Sequence, residues 1–367
     1  MTVDLVPAPT DEQAMLLDAA VRFIEAKFPL ATVRQRVDGG EVLDGGYLRA
    51  AADLGWLGLL ADEADGGGSA SGNGLLDAAM IAAERGAGLQ PGPFVGHNVV
   101  VHALSTAGTH REILADLLEG RCWASWVPDT ASLELRASEA GKTLHGTVDL
   151  VAEAGDCAWL LVTAAGTDGP AQVLVATDAP GVTVRRLEGL DLTRCWFAVE
   201  FDGAGVAAVG EPGHQAAQRA AHQTQIAAVL SAAEAVGAMH ANFALAVEYA
   251  RSRIAFGRPI GSFQAVKHVL ADTSLWLEMS KGIVAAAADA LGRGRPDGAA
   301  MAHIAKSFVG ERGIDLTHNC FQVFGGIGYT WEHDQHLFLR RLGAEAVAFG
   351  SPEWHRQRLI ELEGLAP

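Results

Sequence analysis

Two segments near the C-terminus carry side chains that suit an anionic ligand. Residues 249–264 include Arg253, and residues 320–330 include Gly325 and Gly326. A guanidinium pairs with phosphate oxygens through two parallel hydrogen bonds, and adjacent glycines let backbone N–H groups approach a phosphate closely. The net charge of −17 gives the chain no general attraction for phosphates, so a phosphorylated cofactor needs local groups of this kind.

Each of these residues also has an ordinary structural interpretation. Arg253 could form a surface ion pair, Phe256 could pack in the core, and Gly325 with Gly326 could end a helix as a C-cap turn. Taken one at a time, the structural interpretation is the stronger one. The set as a whole, in its order along the chain, favours ligand binding.

The rest of the composition argues against several other classes of protein. The acidic balance argues against nucleic acid as a partner, because phosphate binding needs a basic surface. The four cysteines lie far apart without a Cys-x-x-Cys pair, which predicts free, buried thiols rather than a metal site or a disulfide. They are Cys122, Cys157, Cys195 and Cys320.

The sequence predicts a soluble, cytoplasmic protein. Its N-terminus has no basic region followed by an apolar core, the pattern of an export signal. Residues 226–247 are long and apolar enough to suggest a membrane span, but they contain Glu234, His240 and Asn242. This stretch is therefore predicted to be a helix buried inside a bundle.

The elements that must position these residues change along the chain from helices to strands and back to helices. Thr10 and Gln13 form a capping-box pattern, and an apolar stripe follows before Pro29. Between about residues 122 and 210, short β-prone runs predict about six strands, separated by turn signals such as Ala140–Gly141. The runs are 132–136, 144–148, 158–163, 172–177, 182–184 and 196–201. From about Gln215 onward the pattern predicts long helices, with breaks at 256–259, 292–294 and Gly325–Gly326.

This order predicts an α+β chain in which a β-barrel or sandwich lies between two helical units. The predicted limits are 1–120 for the N-terminal helical domain, 121–210 for the central β-domain and 211–367 for a C-terminal four-helix-bundle domain.

Residues 249–264, with the sequence YARSRIAFGRPIGSFQ, and residues 320–330, with the sequence CFQVFGGIGYT, resemble two C-terminal motifs of the acyl-CoA dehydrogenase family. Weaker landmarks at 54–59, 65–67 and 83–85 extend the resemblance over essentially the whole chain. The resemblance implies a flavin enzyme in which FAD lies across a subunit interface. It assigns the contacts with the pyrophosphate and adenine end of FAD to Arg253, Phe256, Gln264, Gln322, Gly325 and Gly326.

The resemblance also requires a Glu carboxylate that removes the α-proton while flavin N5 accepts the β-hydride. Phe349 stands at the usual position of this Glu, and the alternative position, early in the helix that leads to Arg253, reads Ala227 and Ala228. Glu345, one turn before Phe349, is a weak candidate for a displaced base. Two weaker candidates are Glu248, expected to face solvent or an ion pair, and His336.

A second departure concerns the β-domain, which in the family grips the isoalloxazine ring. The expected Thr-Glu-Pro-x-x-Gly-Ser-Asp loop reads 125–132 here, where only Pro128 and Asp129 match. The later Trp-Ile-Thr run is replaced at 147–151 and lacks its Trp. The half of the site that holds the ring within one chain is therefore changed, whereas the half that reaches a neighbour's FAD is intact.

The resemblance thus predicts a partner-type subunit of a heteromeric, α2β2 acyl-CoA dehydrogenase, sharing FAD with a catalytic relative. Steroid-derived CoA thioesters are one substrate class that it suggests. Three alternatives stay open at this point: a fold repurposed for non-redox, dehydratase-like chemistry, a self-associating homomeric dehydrogenase with a displaced base, and a purely structural partner.

Overall fold

The computed structural model of the chain describes residues 2–39, 45–128, 132–138, 141–362 and 364. Helices come first, a sheet follows, and long helices end the chain, which is the predicted acyl-CoA dehydrogenase-like α+β order. The buried apolar side chains form two clusters. One joins the two helical units, and the other fills the sheet domain.

The described part of the N-terminal unit contains six α-helices, and the first of them begins as the sequence predicts. Thr10 Oγ1 accepts from the Gln13 N–H at 3.2 Å, while the Gln13 side chain accepts from the Thr10 N–H at 3.0 Å, so the capping box is complete. The helices are α1 (Asp11–Lys27), α2 (Leu30–Gly39), α3 (Gly45–Asp53), α4 (Gly74–Ala87), α5 (Phe94–Ala107) and α6 (Arg111–Leu118).

Eight strands form one connected sheet, two more than the sequence predicted. They are β1 (Trp123–Val127), β2 (Glu134–Ser138), β3 (Gly141–Ala152), β4 (Cys157–Gly166), β5 (Gly169–Ala176), β6 (Val182–Leu187), β7 (Trp196–Gly205) and β8 (Ala207–Ala208). Their order is β6-β7-β3-β2-β4-β5-β8, and β1 pairs with β4.

Strand β1 was not among the strands that the sequence predicted, and its end overlaps the start of residues 125–132, the stretch that corresponds to a loop in the family. All five residues of β1 are buried, and the strand pairs in parallel with β4. A strand covered on both faces shows no polar–apolar alternation, so the period-two signal was missing. Asp129 and Ala140, named above, lie outside the described residues.

Five helices form the C-terminal unit. They are α7 (His214–Ser252), α8 (Gln264–Gly292), α9 (Gly298–Phe324), α10 (Gln335–Val347) and α11 (Pro352–Leu362). A two-stranded hairpin of β9 (Ile254–Ala255) and β10 (Arg258–Pro259) connects α7 to α8, at one of the predicted helix breaks.

The 39-residue helix α7 is the axis of this unit. It is the one described helix long and apolar enough to cross a membrane, but 83% of its most apolar window is buried inside the protein. It crosses α4 closely, because a Cβ at Gly237 would overlap the Ala83 carbonyl oxygen and one at Gly86 would overlap that of Glu234. The predicted buried helix is thus the packing centre of both helical units.

The two ends of α7 have different neighbours. At its N-terminal end, Gln223 lies against the sheet, where its Oε1 accepts from Gln172 Nε2 at 2.7 Å. At its C-terminal end, the Tyr249 ring packs on Phe324 at the end of α9, with 5.2 Å between centroids. Helix α7 therefore connects the sheet to the far end of the bundle.

The four cysteines are free thiols, of which Cys157 and Cys320 are buried while Cys122 and Cys195 are half-buried. In the described part of the chain, no three His, Cys, Asp or Glu side chains form a group that could hold a metal ion.

Candidate functional site

The six residues assigned to FAD lie at the far end of the bundle, which we call the bundle edge. Arg253 is the C-cap of α7, Gln264 begins α8, and Gln322 lies in the last turn of α9. Phe256 lies at the tip of the β9–β10 hairpin, and Gly325 and Gly326 follow α9. The contact between Tyr249 and Phe324 joins the α7 and α9 parts of this edge.

Their side chains are exposed and have few partners within the chain. Among the described residues, Arg253, Gln264 and Gln322 form no side-chain hydrogen bond or ion pair, and all three are exposed. Phe256 is 95% exposed and adopts a left-handed φ of 52°. The ion-pair interpretation of Arg253 and the core interpretation of Phe256 therefore do not describe this chain on its own.

The two glycines of the bundle edge differ. Gly325 has a φ of 62° and its N–H donates to the Phe321 carbonyl, so it does serve as the C-cap of α9. Gly326 has no positive φ, and a Cβ there would meet nothing within 4 Å. Its own chain gives no reason for glycine at that position, whereas a ligand or a second chain approaching the backbone would give one.

Large apolar side chains are exposed around the bundle edge. Tyr329 is 75% exposed, Ile254 56%, Trp331 48% and Ile327 44%, in addition to Phe256. Exposed apolar groups clustered in this way are typical of a surface that another chain covers.

The opposite end of α7 borders a cleft of about 760 Å³ between the sheet and the N-terminal ends of α7 and α9. The connection between α10 and α11 closes one side of it. We call this space the ring-side cleft, because its walls include the β1 and β3 segments that the family resemblance assigns to the flavin ring. Leu150 lines it, from the stretch that lacks the expected Trp.

An aromatic pair occupies the positions in this cleft where the resemblance calls for polar groups. Phe349, at the position of the Glu, lies over Trp126 with 6.0 Å between ring centroids and 27° between planes. Trp126 stands two residues before Pro128, where the motif has Thr. Phe349 holds a left-handed φ of 57°. Neither ring carries a group that could remove a proton from carbon.

The other candidate positions supply no free base to this cleft. Ala227 and Ala228 are fully buried and carry no polar side chain. Glu345 is 3% exposed, accepts a hydrogen bond from Ser231 Oγ at 2.7 Å and lies 3.3 Å from a guanidinium nitrogen of Arg194. The structure thus places Glu345 in a buried ion pair.

This ion pair belongs to a buried cluster of charges that the sequence analysis did not single out. Arg194 also pairs with Glu234, which lies 3.6 Å from Arg85. Burial by itself lowers the pKa of Arg194, but the nearby carboxylates, Glu234 first, raise it above its ordinary value. Burial lowers the pKa of Lys306 to about 8, and its ammonium donates to the Glu345 carbonyl oxygen. A charged residue within an apolar helix, such as Glu234 on α7, was the available signal.

The two weaker candidates lie away from the ring-side cleft. Glu248 is exposed near the C-terminal end of α7. His336 lies on α10, where Nε2 donates to the Trp331 carbonyl at 3.1 Å and the ring stacks on that indole at 4.7 Å. Neither residue lines the ring-side cleft.

The length of α7 separates the ring-side cleft from the bundle edge. Gln225 lines the cleft, and Arg253 caps the other end of the same helix. At a rise of roughly 1.5 Å per residue, the two positions are about 40 Å apart.

Comparison with known proteins supplies relatives for both helical units. The family model for the N-terminal domain of acyl-CoA dehydrogenases matches residues 10–120, and the model for their C-terminal domain matches residues 215–362. Acyl-CoA dehydrogenase IpdE2 of Mycobacterium tuberculosis is 30% identical over 363 residues, covering 96% of this chain and 97% of the relative. Acyl-CoA dehydrogenase FadE34 of the same organism is 32% identical over 83% of this chain and 40% of its own length.

Solved structures show the same fold. A single-residue variant of the steroid ACAD Tcur3481-Tcur3483 superposes with a TM-score of 0.87 at 25% identity, covering 96% of this chain and 98% of that one. A chain of the ChsE4-ChsE5 complex from Mycobacterium tuberculosis superposes with a TM-score of 0.86 at 23% identity, with both chains fully covered.

Proposed function

The chain belongs to the acyl-CoA dehydrogenase family of oxidoreductases, and from that premise we propose that it is the partner-type subunit of a heteromeric enzyme. In this proposal the assembly is α2β2 and desaturates an acyl-CoA thioester. The chain contributes its bundle edge to an FAD whose isoalloxazine ring lies in a catalytic family member.

The observation that carries the proposal is the unequal state of two distant half-sites. The bundle edge presents the whole FAD-contact set to solvent, whereas the ring-side cleft, about 40 Å away along α7, holds Phe349 and Trp126. One extended FAD molecule does not span that distance within one chain. A complete site therefore needs a second chain, and a chain that carries the Glu supplies what this one lacks.

The residues of the bundle edge fit the cofactor's pyrophosphate end. The Arg253 guanidinium has no partner in the described chain and can pair with phosphate oxygens. Gln264 and Gln322 offer both donors and acceptors to ribose or adenine, and the open backbone at Gly326 lets an N–H approach. When bound, FAD supplies the hydride acceptor, and this chain's part is to hold and orient it.

The substrate class is the finer part of the proposal. The solved steroid ACAD carries a pair of names, Tcur3481 and Tcur3483, and the ChsE4-ChsE5 structure is that of a complex. These likenesses support a heteromeric assembly and steroid-derived CoA thioesters as its substrates.

Purification with and without a partner tests the proposal. The chain is produced alone and together with a Glu-bearing family member encoded beside it, and flavin absorbance per protein is measured. We expect a nearly colourless protein alone and a yellow complex that reduces its flavin when an acyl-CoA is added. Stoichiometric FAD and thioester oxidation by this chain alone would overturn the proposal.

A further inference from the structure

The ring-side cleft contains a histidine pair whose hydrogen bonds fix the position of each proton. His355 Nε2 lies 3.2 Å from the Phe349 carbonyl oxygen, and since a carbonyl can only accept, Nε2 carries the proton. In a neutral imidazole, His355 Nδ1 is then an acceptor. It lies 2.8 Å from His303 Nδ1, which must donate, and His303 Nε2 is left as a bare acceptor.

Both imidazoles are neutral at physiological pH. Burial lowers the pKa of His303 to about 4 and that of His355 to about 3, and the neighbouring cations Arg358 and Lys306 act in the same direction. The two neutral imidazoles therefore form a fixed hydrogen-bonded chain, and this chain ends in the lone pair of His303 Nε2.

That lone pair belongs to a side chain that lines the ring-side cleft. His303 is only 5% exposed, it is a wall residue of the cleft, and Nε2 has no partner among the described residues. The charge of Arg358, another wall residue, is paired, because a guanidinium nitrogen lies 2.8 Å from a Glu361 carboxylate oxygen, although Arg358 Nε has no partner among the described residues. An incoming ligand would thus meet a neutral acceptor rather than a free charge.

The aromatic part of the remaining wall favours a flat, apolar ligand, while Gln225, Arg358 and Glu361 also line the cleft. Trp126, Trp196, Trp354 and Phe349 line the cleft, and its volume of about 760 Å³ is in the range of small-molecule sites. Aromatic faces of this kind stack on planar rings.

We propose that the ring-side cleft of this chain binds a neutral, flat and mostly apolar ring compound, oriented by a hydroxyl or N–H group that donates to His303 Nε2. This site is separate from the FAD-holding role, because it lies at the other end of α7 and uses none of the bundle-edge residues.

A matched pair of probes tests the inference on the full-length chain. β-Naphthol and its methyl ether have the same fused ring, but only the naphthol can donate a hydrogen bond. Binding is followed by quenching of tryptophan fluorescence and by calorimetry. Because only the naphthol can donate a hydrogen bond to the buried acceptor, we expect it to bind about tenfold more tightly than the ether.

Substitutions test whether the preference for the naphthol arises in the ring-side cleft. His303→Leu should abolish the preference while leaving affinity for the ether within about twofold, and Ala221→Phe, which narrows the cleft, should weaken both probes. His268→Leu, at an exposed position on α8, is the control and should retain the preference. Equal affinity of the two probes for the unmodified chain, or a preference that survives His303→Leu, would overturn the inference. If His303→Leu fails to fold, the effect of Ala221→Phe and the comparison of probes on the unmodified chain still decide it.

Discussion

The two ends of α7 carry different kinds of side chains. At the C-terminal end, the bundle edge keeps polar positions and an open Gly326 that the described part of its own chain does not use, and Arg253 has no partner there. At the N-terminal end, the ring-side cleft has Phe349 and Trp126 in place of polar groups. This difference is what the proposed function expects, because in that proposal the two ends do not serve the same cofactor molecule.

The buried charges near the cleft sharpen this contrast. Glu345 and Glu234 are held by Arg194, so these buried carboxylates serve structure. The exposed arginine at the bundle edge has no such partner in the described chain. Charges at one end of the molecule thus stabilise the fold, and charges at the other end are available for binding.

The largest expected effect tests the structural half of this contrast. Because removing one member leaves the other charges buried and unpaired, Arg194→Leu should lower the free energy of unfolding by about 3 to 5 kcal/mol. Urea denaturation of the lone chain measures it. Arg186→Leu, at an exposed position on β6, is the matched control and should change stability by less than about 0.5 kcal/mol. A loss below about 1 kcal/mol for Arg194→Leu would mean that the buried cluster contributes little to the fold.

The next effect tests the binding half. In the complex with a catalytic partner, Arg253→Ala should weaken FAD binding by about 10- to 100-fold, because a hydrogen bond to a charged group is lost. Calorimetric titration of FAD into the stripped complex measures this. Arg251→Ala, two residues earlier and also exposed, is the control and should leave FAD affinity unchanged. Unchanged affinity in Arg253→Ala would favour the purely structural partner.

Acid should act on the cleft end. The folded-state pKa values of His303 and His355 lie below the ordinary histidine value, so their contribution to stability is present above pH ~6.5 and is lost as the pH falls toward about 4 and 3. We expect the lone chain to lose stability over this window, because the unfolded chain binds protons that these two imidazoles do not bind in the folded state. Denaturation at several pH values should show a smaller loss of stability at acid pH for the double variant His303→Gln, His355→Gln. The control His268→Gln should lose as much stability as the unmodified chain. An equal loss of stability at acid pH in all three proteins would contradict the assignment of this loss to His303 and His355.

The smallest effect compares one phenylalanine from each end. Phe349→Leu removes the stack on Trp126 and should cost about 1 kcal/mol of stability while leaving FAD affinity in the complex unchanged. Phe256→Leu, at a side chain that is 95% exposed, should leave the stability of the lone chain unchanged and weaken FAD binding in the complex. The reverse pattern would remove the distinction between the two ends.

Local patterns in the sequence predicted much of the fold. The Thr10–Gln13 capping box and the change from helices to strands near residue 122 depend on residues that are close together in the sequence. The structure contains both. The family motifs also predicted which residues would gather at the bundle edge, because short connections join α7 to α8 and α9 to the turn that follows it. Strand β1 was missed because burial on both faces removes the alternating pattern.

The sequence by itself determined the family, the order of the elements and the absence of a carboxylate at the two usual positions of the base. Only the tertiary structure showed that Phe349 packs on Trp126 and that Glu345 is held in a buried ion pair. The hydrogen bond from Ser231 to Glu345 joins positions 114 residues apart, and that between His303 and His355 joins positions 52 apart. Such contacts depend on how helices pack rather than on local spacing, so no periodic pattern in the sequence predicts them. The contrast between an exposed Arg253, without a partner in the described residues, and a buried, ion-paired Glu345 exists only once the chain has folded.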